Sequence, residues 1–112
     1  MSESHIRFNM VEDNLEPEVV TSELLTVIDD WLKQEGAYTT DVQQQMLESH
    51  VKAMVLRAKT GEPLPEVDKS LFDEISAESM ALAERAVNAL PGLPIEEAYL
   101  LSVHFEIARS NA

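Results

Sequence analysis

The chain has 112 residues, 45% of them hydrophobic, with 21 acidic against 8 basic side chains and a net charge of -13. That length holds one small domain, and that apolar content supports a packed core rather than disorder. The charge balance repels phosphate backbones and anionic lipid headgroups, which argues against direct nucleic-acid or membrane-surface binding, and the absence of cysteine excludes disulfides, thiolate catalysis and cysteine-ligated metals.

Residues 1–16 are polar and acidic with little periodicity. They read as a flexible or loosely packed lead, in which His5 is exposed and incidental. The opening "MSESHIRFNM" has no basic region followed by an apolar run, and no stretch reaches the apolar length of a membrane helix. A soluble, cytoplasmic protein is the expectation. Residues 17–112 read as a single helical domain.

A first helix is predicted from Pro17 to Glu35, stopping at Gly36, with Pro at N1 and Gly at C′. Its apolar stripe is Val20, Leu24, Val27, Ile28 and Trp31, at helical spacing. A second helix follows Thr40, where Thr40 and Gln43 form a capping-box pattern, and runs to Thr60 before Gly61. "GEPLPEVD" is a loop, because Pro63 and Pro65 exclude helix there. A short third helix, "KSLFDEI", spans Lys69 to Ile75. The fourth runs from Ala77 to Leu90, and the fifth from Pro94 to Arg109, after the break at "PGLP". Nothing alternates with period two for long enough to form a sheet. The expected fold is therefore all-α, a compact bundle of about five helices arranged as antiparallel pairs with short connections. Its core should take in Val20, Leu24, Ile28, Trp31, Leu47, Val51, Met54, Leu71, Ile75, Leu82, Val87, Leu101 and Val103.

On a helical wheel, Leu47, Val51, Met54, Val55 and Ala58 form the buried face of the second helix. His50 and Arg57 lie along one edge of that face with Met46 and Ala53. On the fifth helix, Glu97, Leu100, Leu101, His104 and Ala108 share a face. Each helix thus carries one histidine beside an apolar stripe and one charged residue seven positions away. Taken singly, either histidine reads as a partly buried packing residue. A metal site is not supported, since zinc histidines come at i, i+4 or with cysteines, and these two lie on separate helices. Ser49 and Ser102 lie near the histidines, but no nucleophile elbow or oxyanion loop accompanies them. With three glycines in the chain, no phosphate-cradling loop exists, so no cofactor is expected and no enzymatic activity. One chemistry does suit lone helical histidines. A neutral imidazole is a good nucleophile near pH 7 and can accept a phosphoryl group, whose added charge a nearby arginine can bind.

"LESHVKAMVLRAKTGEPL" resembles the first histidine motif of the phosphotransferase-system regulation domain, or PRD. Leu47, His50 and Arg57 match its leucine, histidine and arginine. "LPIEEAYLLSVHFEIA" resembles the second histidine motif, with Pro94, Glu97 and His104 in the matching places. "LFDEI", Leu71 to Ile75, resembles the segment between them. The resemblance runs from Thr21 to the C-terminus. Ser49 stands where the family often has aspartate, Lys69 and Ser70 stand where it often has Asn-Pro, and the segment between "LFDEI" and "LPIEE" is slightly short.

The resemblance implies a dimerising helical bundle. It implies phosphorylation of His50 and His104 by the phosphocarrier HPr or an enzyme II component, with Arg57 and Glu97 supporting the histidines or the phosphate. It also implies action on transcription through protein–protein contact, with a transcription regulator as partner. The two histidines are then expected to approach one another, or a shared dimer interface. The alternative is a dimerisation or docking module that is not phosphorylated.

Overall fold

The computed structural model describes residues 7–9 and 13–111. Four α-helices appear in order: α1 (Pro17–Gln34), α2 (Asp41–Thr60), α3 (Ala77–Asn88) and α4 (Glu96–Ser110), with a 3-10 turn at Lys69–Phe72 between α2 and α3. No strand occurs among the described residues. The radius of gyration is 13.5 Å, matching the ~13 Å of a single compact domain of this size.

The helix boundaries follow from local chemistry. Pro17 opens α1 at N1. Thr40 accepts a hydrogen bond from the Gln43 N–H at 3.3 Å while the Gln43 side chain accepts from the Thr40 N–H at 3.0 Å, so the capping box forms as read. Such a cap contributes about 0.5–2 kcal/mol. Gly61 ends α2 at φ 78°, donating its N–H to the Arg57 carbonyl at 2.8 Å; this left-handed position is one that glycine takes without steric cost. Ser76 caps α3, accepting from the Ser79 N–H at 3.2 Å.

The third predicted helix is shorter than expected. Lys69–Phe72 forms a 3-10 turn, started by Asp68, whose carboxylate accepts from the Ser70 N–H at 3.1 Å. The chain cannot stay helical through Ile75, because Ser76 must adopt extended backbone (φ -63°, ψ 152°) to cap α3. The fourth helix ends two residues early, at Asn88, and the fifth begins two residues late, at Glu96.

The helices pack as two pairs, α1 on α2 and α3 on α4, and α2 closes the bundle against α4. The core holds Val20, Leu24, Ile28, Leu47, Val51, Met54, Leu82, Val87 and Leu101, all nine from the expected set. Trp31, Ile75 and Val103 are half-buried. Trp31 lies at the margin, with the Arg85 guanidinium 4.2 Å from its ring centroid. Leu71 is a correction: it is 75% exposed, because the 3-10 turn places it on the outer side. The largest fully buried side chain is Phe105. Of the lead, Phe8 and Leu15 pack against the core, and the Phe8 N–H donates to the Ala89 carbonyl at 2.7 Å. His5 lies outside the described residues.

Candidate functional site

The seam between α2 and α4 brings all four predicted site residues together in two layers. In the first layer, His50 Nδ1 and His104 Nε2 are 3.3 Å apart, with ring centroids at 5.0 Å and planes at 83°. One ring nitrogen donates and the other accepts, so this contact uses one proton. The other nitrogen of His50, Nε2, is buried and meets no hydrogen-bond partner. The two rings line an open groove with Gln45, Met46 and Ser49. The histidines therefore approach one another directly within one chain.

In the second layer, Arg57 and Glu97 form a bidentate pair. Arg57 Nε donates to Glu97 Oε2 at 2.7 Å, and Nη2 donates to Oε1 at 2.8 Å. Glu97 has no exposed side-chain surface, whereas that of Arg57 is 19% exposed. The forked geometry is the strong form of carboxylate recognition, and it raises the Arg57 pKa above its ordinary value. Sequence reasoning assigned each of these residues to support a histidine or a phosphate, and did not pair them with each other. The signal was available. Arg57 lies seven residues after His50 on α2, and Glu97 seven residues before His104 on α4. Once the histidines face one another, an antiparallel register places arginine opposite glutamate two turns along.

The electrostatics keep both imidazoles uncharged at neutral pH. His50 is pushed down to about 4, first by burial and then by the neighbouring His104; Glu97 opposes the shift and Arg57 adds to it. Burial also lowers His104. A buried imidazole resists protonation because the protein interior solvates the cation poorly. Both rings consequently keep a basic lone pair to lower pH than free histidine does.

Ser102 takes no part in this arrangement, since its hydroxyl donates to the Tyr99 carbonyl of its own helix at 2.7 Å. A cluster that sequence reasoning missed joins Ser76 and Ser79 to Glu106. Both hydroxyls donate to Glu106 Oε1 at 2.8 Å, which lowers the Glu106 pKa. It ties the start of α3 to α4 and so fixes the helix that carries His104. No group of three or more acidic or histidine side chains among the described residues could hold a metal ion. No helix among them is long and apolar enough to cross a membrane.

No family model matches the chain, and a search of curated proteins found no match. Among solved structures, the chain is similar to the crystal structure of a PRD-containing transcription regulator from Lactobacillus casei. The two share 34% sequence identity over 83% of each chain, with a TM-score of 0.78. The likeness thus extends over sequence and fold together, across most of both chains, and agrees with the motifs around His50 and His104. The chain belongs to the PRD family, and its helical bundle is a PRD regulatory domain.

Proposed function

We propose that this domain accepts a phosphoryl group at the His50–His104 pair and passes phosphotransferase-system state to transcription control through protein–protein contact. It acts as a cytoplasmic regulator, not as an enzyme, and without touching nucleic acid itself. The observation that carries the reading is the meeting of two uncharged imidazoles at an open groove. The donor is a phosphohistidine, on HPr or an enzyme II component. A lone pair of the acceptor imidazole forms a new N–P bond, the donor's N–P bond breaks, and its electron pair returns to the donor ring. No further nucleophile, metal or cofactor is needed.

The readout is a contact surface beside the histidines. Met46 and Val42, one turn apart on α2, are 56% and 65% exposed, a surface suited to a second copy of this chain or to a transcription regulator. A phosphate added next to it brings about two negative charges to a chain already at -13. Arg57 is taken by Glu97, so the new charge acts chiefly by repulsion and desolvation at that surface. A second reading draws on the same observation. With no uncommitted arginine on α2 beside the pair, the domain is a homodimerising or docking module whose histidines are not phosphorylated.

Incubation with the phosphotransferase proteins and labelled phosphoenolpyruvate separates the two. Label on the chain, with a change in mass by light scattering over a concentration series, supports the first reading. An unlabelled chain that still self-associates supports the second.

A further inference from the structure

The two histidines are alike in sequence context, but their four ring nitrogens are not alike in the structure. His50 Nδ1 faces His104 at 3.3 Å. His50 Nε2 is buried without a partner. Both nitrogens of His50 are thus taken, one by His104 and the other by enclosure. His104 spends Nε2 on His50, which leaves Nδ1 as the other nitrogen of a ring that lines the open groove. In-line phosphoryl transfer requires an open path to the attacking nitrogen, opposite the bond that breaks.

Building on the proposed function, we infer that His104 is the phosphoryl acceptor, through Nδ1, and that His50 is the residue that positions it. The hydrogen bond fixes the tautomer. For Nδ1 of His104 to hold the attacking lone pair, its Nε2 must carry the proton and donate it to His50 Nδ1. His50 then carries its own proton on Nε2, in the enclosed space behind the pair. As the N–P bond forms at His104 Nδ1, positive charge develops over that ring, and its Nε2–H binds His50 more strongly. The donor imidazole leaves with the electron pair of the broken N–P bond, so atoms and charge balance. His50 here takes the role that a carboxylate or carbonyl takes behind other working histidines: it holds the ring and selects the nitrogen. Around it, Arg57 and Glu97 neutralise each other. The exposed side chains of Gln45 and Ser49 border the groove and offer neutral donors to the phosphate oxygens.

The test uses the full chain and phosphoramidate, a small phosphoryl donor that needs no docking surface. Mass spectrometry locates the label, and 15N and 31P spectra at early times identify the nitrogen. The expected label is on His104 Nδ1, and His104→Gln abolishes it. His50→Leu slows labelling tenfold or more. His50→Asn restores most of the rate, because its side-chain oxygen can stand where Nδ1 stood. The unphosphorylated protein supplies a second readout, since 15N shifts should show His104 as the Nε2–H tautomer in the native chain and as a mixture in His50→Leu. Label on His50, label on His104 Nε2, no label at all, or an unchanged rate and tautomer in His50→Leu overturns the assignment. Labelling of His104 by phosphoramidate but not by the phosphotransferase proteins refutes the proposed function and leaves this assignment standing. Labelling of His50 by those proteins does the reverse.

Discussion

Removal of Arg57 should cost more stability than neutralisation of its partner. In the native chain the Glu97 carboxylate is fully enclosed and both of its oxygens are bonded to Arg57. Arg57→Ala deletes both donors and leaves a charge that water cannot reach. A buried pair broken in this way typically costs about 3–5 kcal/mol, out of the roughly 5–15 kcal/mol that holds a small domain together. Glu97→Gln acts differently. It keeps the shape and an acceptor oxygen, and the arginine left behind is 19% exposed and can turn toward solvent. Its cost should be about 1–2 kcal/mol, the scale of a weakened hydrogen bond. Urea unfolding followed by circular dichroism measures both, and at constant m the shift of the midpoint gives the difference. An Arg57→Ala variant within about 1 kcal/mol of the native chain, or a Glu97→Gln variant less stable than Arg57→Ala, would show that the pair is not a buried, directional contact.

The core, the 3-10 turn and the histidine pair each respond to substitution in a different way. Phe105→Ala should lose about 3–5 kcal/mol in the same unfolding assay, since Phe105 is the largest enclosed side chain and its removal leaves a cavity. Leu71→Ala should stay within about 0.5 kcal/mol, because Leu71 is already in water; a loss above 2 kcal/mol would mean that the 3-10 turn packs inward. The histidine pair should make the fold less stable in acid. The folded pKa of His50, about 4, lies below the ~6.5 of the unfolded chain. Between those values the unfolded state binds more protons, so stability rises with pH across that window. His50→Gln should flatten the slope between pH 4 and 6.5, and an unchanged slope would contradict the burial of His50.

The sequence revealed most of what depends on local periodicity and capping. Helical spacing along the four helices locates nine core residues, the Thr40–Gln43 box sets the start of α2, and Gly61 sets its end. It was less informative where two local demands compete. "KSLFDEI" has helical character, but Asp68 turns the chain into a 3-10 start and Ser76 needs extended backbone to cap α3, so Leu71 turns outward. Phe105 escaped notice because it sits between two polar-looking neighbours, His104 and Glu106, and only the packing of α3 on α4 encloses it. At the site, each histidine and its seven-residue partner were visible on its own helix. The pairing of Arg57 with Glu97 was not, since it depends on the antiparallel register of α2 and α4. Nor does any spacing reveal which ring nitrogen is sealed.

Whether the α2–α4 histidine pair receives the phosphoryl group is decided by one labelling experiment. The native chain and a His50→Gln, His104→Gln double variant, which retains His5, are incubated with the phosphotransferase proteins and labelled phosphoenolpyruvate. The expected result is acid-labile, base-stable label on the native chain and none on the double variant, with both proteins equally helical by circular dichroism. Label that persists on the double variant, or a native chain that takes up none, contradicts it.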